Sequence, residues 1–69
     1  MTSERVLAYS TNKLFEADMI KEYLSDNGIT AFILNKMDSA YHFGEVEILV
    51  ERDDLIRSKK LIEDFFKDE

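Results

Sequence analysis

A chain of 69 residues holds one domain, residues 1–69, and folding at that size buries only about 60% of the surface the unfolded chain exposes. Hydrophobic residues at 45% and aromatics at 12% can build a core and argue against disorder, while zero cysteine excludes disulfides and thiolate metal sites. Fifteen acidic against nine basic residues leave a formal net charge of -6, which repels a phosphate backbone and excludes nucleic acid as an expected partner.

The chain opens on polar Thr2-Ser3-Glu4-Arg5, with no signal-peptide pattern, and no run approaches the ~20 apolar residues of a membrane span. A cytoplasmic protein without a membrane partner is expected. Arg5-Val6-Leu7-Ala8-Tyr9 is a short apolar run that predicts a first strand. Ser10, Thr11 and Asn12 follow as three candidate N-caps, each with an oxygen able to accept from an orphan N–H of the first helical turn. From Lys13 to Asn27 the apolar residues form two lines, Phe15–Met19–Tyr23 and Ala17–Ile20–Leu24. The two lines merge into one broad stripe that is expected to be buried, with Glu16, Lys21, Glu22 and Ser25 in water.

Asn27-Gly28 ends this helix, because glycine takes the left-handed conformation without steric cost. Ile29-Thr30-Ala31-Phe32-Ile33-Leu34 is a dense β-favouring run and predicts a second strand. In Glu45–Glu51 the side chains alternate, with Val46, Ile48 and Val50 on one face and Glu45, Glu47, Leu49 and Glu51 on the other. Asp53 or Asp54 is expected to cap a second helix. Its apolar positions are Leu55, Ile56, Leu61, Ile62, Phe65 and Phe66, with small Ser58 permitting close approach to the sheet and Lys59 and Lys60 in water.

The order β-α-β-β-α predicts an α+β, ferredoxin-like domain: a three-stranded antiparallel sheet of order 1-3-2, with both helices on one face and the usual fourth strand missing. That leaves one sheet face without cover. Leu7, Tyr9 and Leu49 are expected on it, since Val6 and Ala8 share the parity of the helix-facing valines. For the second strand both parities are apolar, so either Phe32 and Leu34 or Ala31 and Ile33 point outward.

The connection from Asn35 to Glu45 concentrates amide, acid, hydroxyl, imidazole and aromatic groups between two strands. Asn35, Asp38, Ser39, Tyr41 and His42, together with Tyr9 and Leu49 of the open face, are therefore the candidate binding residues. Simpler roles compete: Asp38 and Ser39 can shape a turn, Asn35 can end the strand, Tyr41 and Phe43 can cover one end of the core, and Gly44 can supply a positive φ. Asp38, His42 and Glu45 could instead serve a metal-dependent protein or small enzyme. One imidazole and two carboxylates without helical spacing make a weak signature, so no metal, cofactor or catalytic residue is expected.

Several stretches carry a family resemblance: Tyr9-Ser10-Thr11-Asn12, Glu16-Ala17, Asn27-Gly28-Ile29, Asn35-Lys36-Met37-Asp38-Ser39-Ala40-Tyr41, Phe43-Gly44-Glu45 and the acidic exit Asp53-Asp54. In these the chain resembles a family of small bacterial domains described as putative prokaryotic signal transducing proteins, in a form that looks like its Bacteroidetes branch. The resemblance implies a ferredoxin-like fold, cytoplasmic residence and a loose analogy with nitrogen-regulatory signalling proteins, and it supplies no substrate or catalytic residue. The expected function is a non-enzymatic regulatory or binding module that acts through the open sheet face and the 35–44 loop. A homodimer is expected, with a protein partner or a purely homo-oligomeric structural role as further possibilities.

Overall fold

A computed structural model describes residues 4–36 and 44–67. The first strand, β1, is Arg5–Thr11; the first helix, α1, is Leu14–Asp26; strands β2 and β3 are Ala31–Asn35 and Val46–Glu51; and a 3-10 turn at Arg52–Asp54 leads into α2, Leu55–Lys67. The sheet order is β1-β3-β2, with β3 antiparallel to both neighbours, so the fold is the expected α+β, ferredoxin-like arrangement.

Alternation in β3 decides the layering. Val46, Ile48 and Val50 are fully buried and join Ala17, Ile20 and Leu24 of α1, Ile29, Ala31 and Ile62 of α2 in one core. Register with β3 also settles the second strand, because Ala31 pairs with Val50 and Ile33 with Ile48. Phe32 and Leu34 therefore share the outer face with Leu49.

Tyr9 does not stand on the open face. The β1–β3 register runs from Leu7 opposite Leu49 to Tyr9 opposite Ile48, which leaves Ala8 as the extra residue of a β-bulge. A bulge inverts the parity of everything beyond it. Ala8 and Tyr9 both pack against the core, and the Tyr9 ring lies 5.5 Å from that of Phe66.

The two ends of α1 differ, one following its local signal and the other not. At the end of α1, Gly28 has φ 84°, its N–H donates to the Ser25 carbonyl, and the Ile29 N–H donates to that of Leu24. These two bonds form a Schellman motif, closed by the buried pair Leu24 and Ile29. The Arg57 guanidinium of α2 adds a 2.8 Å bond to the Asn27 carbonyl and ties the two helices together. At the start of α1, none of Ser10, Thr11 and Asn12 is the cap. Pairing extends β1 through Thr11, Lys13 takes the cap position, and the Thr11 hydroxyl instead accepts from the Lys13 N–H. Asp53 and Asp54 form the 3-10 turn with Arg52 immediately ahead of Leu55, and bring negative charge to the positive end of α2.

Ser58 is fully buried, as its small size allows. Ile56 is not: at 86% exposure it belongs to the wet side of α2 with Lys59 and Lys60. The broad stripe of α1 is also only half buried. Ala17, Ile20 and Leu24 are sealed, whereas Phe15 is 74% and Met19 43% exposed.

Candidate functional site

Two apolar surfaces lie on opposite layers of the molecule. On the open sheet face, strand pairing aligns Leu7, Leu49 and Phe32 in one row across all three strands, with Leu34 beside Glu47 in the next row. Leu7 is 47% and Leu34 43% exposed. The Arg5 guanidinium lies 3.8 Å from the centre of the Phe32 ring, a cation–π contact that closes one end of the row. At the other end Lys36 Nζ sits 3.3 Å from Glu47 Oε1.

The connection between β2 and β3 springs from that same end. Asn35 closes β2 opposite Val46, the Lys36 N–H donates to the Glu45 carbonyl at 2.9 Å, and Gly44 has φ 115°, the positive value a turn requires. Asp38, Ser39, Tyr41, His42 and Phe43 lie outside the described residues. Among the candidate residues that are described, Leu49 faces outward, Tyr9 inward, and Asn35 ends a strand, so these three do not converge. Among the described residues no group of three potential metal ligands occurs; of the metal-dependent set only Glu45 is described, and it is exposed.

The second surface was not marked in the sequence. The rings of Tyr23, Phe65, Phe66 and Tyr9 form a continuous chain, with centroid separations of 5.4, 5.3 and 5.5 Å. Above it the exposed side chains of Phe15 and Met19 edge a groove of about 640 Å³, whose polar lining is Lys13 and Glu16. The Tyr9 hydroxyl donates to Glu16 Oε1 at 3.5 Å. Burial first, then the Glu16 charge and the hydrogen bond to it, hold the Tyr9 phenol above its ordinary pKa. The phenol therefore stays protonated at neutral pH and remains the donor to Glu16. One sequence signal could have found the groove: the apolar sector of α1 is about twice as wide as the ~100° that packing on a sheet needs.

The model of the family described as "Putative prokaryotic signal transducing protein" matches residues 6–65. The chain belongs to that family. The matched span runs from Val6 in β1 to Phe65 in α2, and it contains both apolar surfaces except Arg5 at one end of the sheet-face row and Phe66 of the groove. No curated protein and no solved structure matched the chain. Among the described residues, no helix is long and apolar enough to cross a membrane.

Proposed function

We propose that this protein is a non-enzymatic, cytoplasmic binding module of a prokaryotic signalling system, and that it works as a homodimer joined through its open sheet face. The family's description supports the signalling role. The observation that carries the dimer is the uncovered row Leu7–Leu49–Phe32 with Leu34 beside it, since a contiguous apolar patch on a domain this small is costly to leave in water. A second copy is the occupant that the charges favour. The whole chain is strongly acidic, yet the charges around this row nearly balance, Arg5 and Lys36 against Glu45, Glu47 and Glu51. Two acidic molecules repel least where their facing surfaces are neutral, and a two-fold pairing covers the patch on both partners at once. The 35–44 loop, rooted at the Lys36–Glu47 end, supplies the adjoining surface for a protein partner.

Light scattering at tens of micromolar tests the reading. The expected result is a dimer that Leu49→Glu converts to monomer, while Ile56→Glu, on the far layer, leaves it intact. A wild-type monomer, or a dimer indifferent to Leu49→Glu, overturns it.

A further inference from the structure

The groove between α1 and the end of α2 lies on the helix layer and plays no part in the proposed dimer. We infer that it receives an amphipathic helix of a partner protein, one that carries Lys or Arg beside its apolar stripe.

The length of the groove argues for a helix. A second depression of about 250 Å³, lined by Glu22 and Asp26, shares Met19, Tyr23 and Phe65 with the first, so the trough follows α1 from Lys13 to Asp26. That is about 20 Å of helix axis, longer than a compact small molecule needs and matched to three or four turns of a partner helix. Its walls are suitable anchors. Phe15, Met19 and Tyr23 repeat every fourth residue along α1, and Phe65 and Phe66 form the opposite side. Aromatic and methionine side chains dominate the binding energy of such grooves, because they offer large area and adapt to what they meet.

Charge identifies the partner's character. Of the charged residues lining the trough, Glu16, Glu22 and Asp26 are acidic and Lys13 is basic. Asp18, Glu22 and Asp26 also stand at i, i+4 and i+8 on α1, a spacing at which like charges repel. Neither Lys21 nor any other described cation forms an ion pair with them. Asp26 further sits at the negative end of the helix dipole, in a last turn that holds no basic residue. Each of these penalties weakens α1 in isolation, and a cationic partner laid along the rim relieves all of them. The chain's own basic helix face cannot be that partner, because Ile56 is the exposed apolar residue it offers beside Lys59, Lys60 and Lys67, too little to fill an aromatic trough.

The probe is a synthetic amphipathic peptide of about 18 residues, with leucine along one face and lysine flanking it, followed by ¹⁵N chemical-shift titration of the full chain. Micromolar binding is expected, with the largest shifts at Met19, Tyr23, Phe65 and Phe66. Phe15→Gln combined with Met19→Gln changes only exposed positions, so the fold should persist, as a melting curve will confirm. That double variant should weaken binding at least about tenfold, and Glu22→Gln with Asp26→Asn should weaken it and flatten its salt dependence. Leu49→Glu, which tests the dimer, should leave it unchanged. The inference is overturned if a scrambled peptide of equal composition binds as well, if the shifts fall on Leu7, Phe32 and Leu49, if no binding occurs, or if only an apolar dye such as anilinonaphthalene sulfonate enters, which would mark a small-molecule site.

Discussion

A hydroxyl without a partner is uncommon in a buried position, and Ser58 Oγ is one. Size explains the residue: α2 approaches the sheet here, and a larger side chain would hold it away. The hydroxyl itself contributes nothing that alanine would not, so Ser58→Ala should raise stability by up to about 1 kcal/mol in urea denaturation. Ile48 sits at the opposite extreme, fully buried in the central strand. Ile48→Ala should cost about 2 to 5 kcal/mol, comparable to the whole stability of a domain this small, and leave most molecules unfolded. Tyr9 makes a third test through pH. Its phenol pKa is raised in the folded state, so the folded form keeps its proton at a pH where the unfolded form has begun to lose it. Stability from this source is complete below the unfolded tyrosine value of about 10 and declines as pH rises through the higher folded value. Urea midpoints for wild type and Tyr9→Phe, taken from pH 7 to above pH 10, should show a shallower alkaline decline in the variant.

Departures from local signals occur where a neighbouring element outweighs them. Thr11 would cap a helix in a peptide, but pairing with Val46 keeps it in β1. The bulge in β1 has a consequence that deletion can test. Removing Ala8 leaves Leu7 opposite Leu49 and Tyr9 opposite Ile48 in an unbroken ladder, with each side chain on the face it already occupies. The ΔAla8 chain should therefore fold and keep Tyr9 against Phe66, losing a few degrees of melting temperature at most. Deleting Leu49, in a strand with no bulge, should abolish cooperative melting because every residue beyond it changes face. Circular dichroism melts of the two deletions separate these outcomes.

For the molecule as a whole, two layers leave two outer surfaces, and both are apolar in part. The missing fourth strand and the lack of a third layer leave Leu7 and Leu34 exposed and Phe32 and Leu49 half-buried, while Phe15 and Met19 stand exposed on α1. The proposed dimer through the sheet face couples stability to concentration, so the wild-type melting temperature should rise with protein concentration and that of Leu49→Glu should not. The two surfaces lie on opposite layers, so the proposed dimer leaves the groove beside α1 open.

The sequence by itself determined the order of elements, the sheet topology and the family. Val46, Ile48 and Val50 occupy every second position of a strand buried on one side, and Gly28 stands where a helix must turn left-handed. Both signals are local, since the residue types report the backbone state directly. Tertiary structure alone decided which apolar residues are covered. Both faces of β2 are hydrophobic, so pairing with β3 had to choose Phe32 and Leu34 for the open side. Tyr9 changed face through one unpaired residue, which no periodicity in β1 announces. Phe15 and Met19 carry the same apolar signal as Ile20 and Leu24. Ile20 and Leu24 are sealed and Phe15 and Met19 are not, because burial depends on what another element brings within reach and not on the residue's own hydrophobicity.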